Sequence, residues 1–151
     1  WNAGPQVMQH FGRTRTPEEV ADKLQLMREW EQARGFTFWA VVRKADGLVV
    51  GNCGLKPLTV PWPEPSDIEL GWLLGRAAWG QGYATEAAAA ALATGLRLAP
   101  RVVAMIAPAN LASVRVAERI GMARAPELDF DHPDLPANSP HRRHIVYAGR
   151  A

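Results

Sequence analysis

Between residues 67 and 98 the chain passes from an alternating strand to an alanine-rich helix through a turn punctuated by glycines. Asp67-Ile-Glu-Leu-Gly-Trp-Leu-Leu74 sets Ile68, Leu70, Trp72 and Leu74 on one face of a strand and Glu69, Gly71 and Leu73 on the other. Gly75-Arg-Ala-Ala-Trp-Gly-Gln-Gly-Tyr-Ala-Thr-Glu86 makes the turn, and a helix is expected over about residues 83–98. Glycines at 80 and 82 let the backbone approach a ligand closely and adopt φ values closed to other residues. The unpaired N–H groups and the dipole at such a helix start favour an anion, and a pyrophosphate is a natural guest. A plain strand-to-helix turn explains the segment equally well. Two phosphate loops are excluded: Thr85 stands where a dinucleotide fingerprint needs its third glycine, and the loop has no lysine for a Gly-Lys-Ser/Thr motif.

The flanking segments supply the rest of an α/β layer structure. Thr16, Pro17 and Glu19 compose an N-terminal capping box, Val20, Leu24, Met27 and Trp30 form one apolar stripe, and Gly35 closes the helix. Phe36–Arg43 and Leu48–Leu55 read as a hairpin around Asp46-Gly47. Pro57 to Pro65 is a loop, Val102–Ala107 a strand, and Asn110–Ile120 a helix ended by Gly121. Val7, Met8 and Phe11 suggest a short helix near the start, and the tail carries one strand after Ala123 and another around His144–Tyr147. This order predicts a mixed sheet with helices packed against it. At 151 residues the chain is expected to be one domain, 1–151.

Composition narrows the function classes. Seventeen Lys and Arg, fourteen of them arginine, stand against fifteen Asp and Glu, without the basic stripe of a nucleic-acid binder. No apolar run approaches a membrane span. The lone Cys53 has no disulfide partner in the chain and lacks a His–acid partner in sequence, so it reads as a small strand residue in a reducing, cytoplasmic setting.

Three blocks in order, Glu69-Leu-Gly-Trp-Leu-Leu74, Trp79-Gly-Gln-Gly-Tyr-Ala-Thr-Glu-Ala87 and Asn110-Leu-Ala-Ser-Val-Arg-Val-Ala-Glu-Arg-Ile-Gly-Met122, closely resemble the GNAT acetyltransferase superfamily, and most closely its ribosomal-protein alanine acetyltransferase-like (RimJ/RimL) branch. The resemblance implies a mixed, mostly antiparallel central sheet with a splayed parallel strand pair, flanked by helices. The family's opening strand and helix are largely absent here, which leaves the acceptor pocket and a homodimer open. Acetyl-CoA is implied as co-substrate, without a metal. The acceptor would be a protein N-terminus or a small primary amine.

The same resemblance places the pantetheine arm between the strand ending at Leu73 and Leu74 and the strand Val102–Ala107, with a backbone N–H of Leu73 or Leu74 polarising the thioester carbonyl. The pyrophosphate would rest on residues 76–84, with Arg76, Trp79, Gly80, Gln81, Gly82, Tyr83, Ala84 and Thr85 as the cofactor contacts. The family's Arg or Gln three residues before the first loop glycine is Ala77, so backbone amides carry the phosphate binding. Asn110 is implied on the cofactor arm and Ser113 near the sulfur, as donor to the leaving thiolate. As plain structure, Asn110 is an N-cap and Ser113 a hydroxyl bonding its own helix.

Glu69 is the candidate general base, acting directly or through water, with Asp67 as backup. The competing reading of Glu69 is a solvated carboxylate or the partner of an arginine. His132, His141 and His144, beside Asp129, Asp131 and Asp134, match no standard zinc spacing. Asp131, His132 and Trp62 are instead candidates for acceptor contact, and Arg115 for a phosphate contact. Two other functions stay open: an acyl-CoA-binding sensor without catalysis, and a nucleotide-binding domain.

Overall fold

The computed structural model describes residues 5–10 and 14–151. Val7 and Met8 lie in turns, not in the expected short helix, with Met8 buried, and Phe11 falls outside the described residues. Helix α1 (Pro17–Arg34) starts on the anticipated capping box: the Thr16 hydroxyl accepts from the Glu19 N–H at 3.2 Å, and the Glu19 carboxylate accepts from the Thr16 N–H at 2.9 Å. Gly35 ends it at φ 75°. The stripe is only partly buried. Met27 is covered, Val20 and Trp30 are half-buried, and Leu24 is 51% exposed. The helix is pinned where the Thr37 hydroxyl donates to the Met27 carbonyl at 2.8 Å.

Strands β1 (Phe38–Val42) and β2 (Val49–Pro57) form the hairpin, and β3 (Ile68–Leu74) continues the sheet antiparallel to β2. Then come α2 (Tyr83–Leu98), β4 (Arg101–Ile106), α3 (Leu111–Arg119), β5 (Ala123–Arg124), β6 (Phe130–Asp131) and β7 (Arg143–Arg150). The sheet order is β1-β2-β3-β4-β7-β5, with β6 also on β7. Among the described residues β3–β4 is the one parallel pair, and all other ladders are antiparallel.

The two sheet faces differ in what covers them. Leu55, Leu70, Val102, Ala104 and Ile106 pack with Ala88, Leu92 and Ala117, so α2 and α3 cover that face and the main core lies beneath them. Val103, Val146 and Ala148 form a smaller cluster on the other side with Trp62 and Phe130. Cross-strand partners share a face, so Lys56 and Glu69, Gly54 and Gly71, and Asn52 and Leu73 line up together away from α2. Lys23 of α1 reaches this face, its ammonium 5.9 Å from the centroid of the Phe38 ring. Among the described residues no helix is long and apolar enough to cross a membrane.

Candidate active site

The parallel ladder between β3 and β4 holds for two residue pairs only, Ile68 with Val102 and Glu69 with Val103. Beyond them the strands diverge, and a crevice of about 250 Å³ opens through the sheet. Leu70, Trp72 and Leu73 line one side of it and Ala104, Met105 and Ile106 the other. Ser113 and Asn110 of α3 reach it as well, and so do Glu69, Lys56 and Lys23 from the opposite sheet face. A ligand in this gap is therefore accessible to both groups of side chains.

Strand alternation decides which amides face the gap. The Gly75 N–H donates to the Val50 carbonyl at 2.9 Å, on the β2 side. Two-residue alternation puts the Leu73 amide on that side too, and turns Trp72 and Leu74 toward β4. Of the two residues proposed from sequence to polarise a carbonyl, Leu74 has the right orientation. Leu73 turns its amide toward β2 and itself lines the crevice.

The glycine loop has the backbone that the sequence called for. Gly80 and Gly82 sit at φ 73° and 83°, and a Cβ at either would project into open space. Gly82 is the N-cap of α2 and has no side chain to satisfy the first-turn amides of Tyr83, Ala84 and Thr85. The side chains around them work on the loop itself. The Trp79 indole donates to the Leu74 carbonyl at 2.9 Å and the Gln81 amide to the Ala77 carbonyl at 2.8 Å. Tyr83 and Ala84 pack against Val50, Leu74 and Ala78. Arg76 is directed elsewhere, with its guanidinium on the Gln6 side-chain oxygen. An anion placed at this loop would therefore meet backbone N–H groups first.

Glu69 pairs with Lys56 at 2.8 Å, directly across the β2–β3 ladder. The competing reading from sequence was a solvated carboxylate or the partner of an arginine; the lysine comes from strand register, which sequence spacing alone does not reveal. Lys23 is nearby, and burial, with the charges of Arg15 and Lys56, pushes its ammonium down to about 8 against the opposing pull of Glu69. At the other end the Trp72 indole N–H donates to the Ser113 hydroxyl oxygen at 3.3 Å, which leaves the hydroxyl proton free to point at a ligand. Trp72 is the residue sequence reasoning missed; it entered only as one apolar position on a strand face. The Asn110 side-chain oxygen caps α3 by accepting from the Ser113 N–H at 3.2 Å, so its structural reading holds while it also lines the crevice.

Several other candidates resolve into structure. Asp67, the backup base, is buried and outside the crevice, where one oxygen takes bonds from Arg101 at 2.8 and 2.5 Å and from the Trp62 indole at 2.7 Å. That network anchors the Pro-rich loop, and Trp62 also meets Phe130 edge-on rather than the crevice. Asp67→Asn should lower stability by about 2 kcal/mol, since hydrogen bonds to a charged group are lost. The melting temperature should fall by about 4–8 °C, with the KM for donor unchanged; thermal unfolding and steady-state kinetics measure the two. Burial pushes the Cys53 thiol up to about 12, so it is no nucleophile at neutral pH.

Among the described residues no cluster of His, Cys, Asp and Glu could hold a metal. His132 and His144 do line the crevice, their rings 5.4 Å apart, while Asp131 is exposed and lies on Arg142 and Arg143. Asp129 bonds Arg124 and the Val146 amide. Burial lowers His144 from its ordinary value, so it is neutral near pH 7. Arg115 is exposed on α3, and Asp134 and His141 do not line the crevice.

This geometry, a parallel pair that parts beside a glycine loop, agrees with the comparisons. The acetyltransferase (GNAT) domain model matches residues 1–123. The protein YkkB of Bacillus subtilis (strain 168) is 33% identical over 120 residues, 78% of this chain and 69% of YkkB. An acetyltransferase from Agrobacterium tumefaciens str. C58 superposes with a TM-score of 0.75 at 26% identity, over 99% of this chain and 81% of its own. YncA from Salmonella typhimurium, solved with its cofactor acetyl-CoA, shares the fold with a TM-score of 0.70 at 16% identity, over 91% of this chain and 75% of its own. The chain belongs to the GNAT acetyltransferase family. It is an acyltransferase of the acetyl-CoA-dependent class.

Proposed function

We propose that this protein transfers an acetyl group from acetyl-CoA to a primary amine by direct attack, without an acyl-enzyme intermediate. The observation that carries the reading is the loss of β3–β4 pairing after Glu69 and Val103, next to uncapped amides at the start of α2. The chain's own groups fit the donor. The first-turn amides of α2 suit a diphosphate, the open strand edges suit an extended amide-bearing arm, and the Leu74 amide suits a thioester carbonyl.

The amine nitrogen forms a bond to the thioester carbon as the carbon–sulfur bond breaks. Glu69, directly or through water, takes the amine proton, and the Ser113 hydroxyl, oriented by Trp72, hydrogen-bonds the departing sulfur. Holding amine and thioester in one narrow crevice supplies the entropic part of the acceleration. Such a transfer would suit a cytoplasmic setting. The three sequence blocks support the RimJ/RimL-like branch, whose acceptors are protein N-termini; a free amine of low mass is the other acceptor class. Thiol release from acetyl-CoA, measured with a panel of amines and peptides, tests the proposal. Amine-dependent release is expected, and acetyl-CoA binding without release for any amine would favour a sensor.

A further inference from the structure

The acceptor side of the crevice has a charge pattern that the transfer reaction does not require. Arg15, Lys23 and Lys56 all line it, and among the described residues Glu69 is its one carboxylate. Lys56 spends its charge on Glu69 at 2.8 Å. Neither of the other two makes an ion pair among the described residues, although Glu69 also attracts the Lys23 ammonium. The Arg15 Nε is buried, with no hydrogen-bond partner among the described residues. Lys23 makes no ion pair among the described residues and rests against the Phe38 ring. Taking a cation out of water without a counter-ion is costly, so an anion bound beside these two groups would relieve that cost. The Asn52 side chain and the neutral His144 ring border the same space and add no negative charge.

From this juxtaposition we infer that the acceptor is an amine carrying an anionic oxygen group, a carboxylate or phosphonate, which docks on Arg15 and Lys23 while its amino group meets the thioester near Glu69. This rests on the transfer reading above and names its substrate class. A guanidinium binds an oxyanion in bidentate fashion, and an ammonium adds a point charge beside it. The same field opposes a second ammonium, so it disfavours polyamines and other polycations. It also favours the neutral, nucleophilic form of the acceptor's amine.

The test measures thiol release with the full chain and three acceptor arms. These are acidic amino acids and aminoalkyl phosphonates, peptides beginning with Asp or Glu, and spermidine with neutral alkylamines. The inference expects kcat/KM at least about tenfold higher for an anionic arm, with glutarate competing against the acceptor. The first arm points to a free small molecule and the second to an acidic protein N-terminus. Arg15→Gln and Lys23→Met should each raise the acceptor KM by about 10–100-fold, as expected for one charge-assisted bond, and leave the acetyl-CoA KM unchanged. Lys23→Glu should turn the preference toward spermidine.

Equal or better use of spermidine by the wild type would overturn the inference, and so would variants that raise the acetyl-CoA KM instead. Neither result touches the transfer reading, which fails separately if no amine in any arm releases thiol while calorimetry shows acetyl-CoA bound. The wild-type panel decides the matter even if a variant does not fold.

Discussion

Replacing Gly82 by valine is expected to raise the KM for acetyl-CoA by about 10–100-fold while kcat at saturating donor changes little. Two costs act at this position. Its φ of 83° is a left-handed conformation that costs a residue with a Cβ about 1–2 kcal/mol, and a β-branched residue is the worst case. A refolded turn would also re-aim the amides of Tyr83, Ala84 and Thr85, which no side-chain cap holds in place. One lost amide bond to a charged oxygen costs about 1.5–3 kcal/mol, which sets the range of the KM change. Gly82→Ala should fall between wild type and valine, because its Cβ would meet nothing within 4 Å. Initial-rate kinetics against acetyl-CoA check this series, and an unchanged KM in the valine variant would remove the loop from donor binding.

Glu69→Gln is expected to lower kcat by about 10²–10⁴-fold, the usual yield of a positioned general base, with the KM for acetyl-CoA close to wild type. Glutamine keeps the shape, and its carbonyl can still accept from Lys56, which now sits 2.8 Å from the carboxylate. The fold should therefore survive and the loss should be chemical. The pH profile of kcat should differ between wild type and variant. If wild type and variant keep the same profile, Glu69 is a structural partner of Lys56, and the proton leaves by another route.

Much of this site was legible in the amino-acid order because its signals are local. Thr16, Pro17, Glu19 and Gly35 announce α1 through contacts within one turn, and the helix spans Pro17–Arg34 as those caps predict. The Gly80 and Gly82 loop, the start of α2 at Tyr83 and the Asn110 cap of α3 are equally short-range. What stayed hidden depends on register and tertiary approach. That Glu69 faces Lys56, and that Leu74 rather than Leu73 turns its amide to the gap, follows from how β2 and β3 align. The Trp72 bond to Ser113 joins residues 41 positions apart. Asp67 lies two residues from Glu69, yet Arg101, 34 positions on, draws it out of the site. The Leu24 exposure shows the same limit: periodicity gives a helix its apolar stripe, but the neighbours decide how much of it is covered.

The most direct test is a crystal structure of the protein with coenzyme A bound. Diphosphate oxygens are expected about 3 Å from the backbone nitrogens of residues 81–85, with the pantetheine arm lying between Leu74 of β3 and Ile106 of β4. A coenzyme bound anywhere else, with side chains closing the gap between those strands, would contradict this placement.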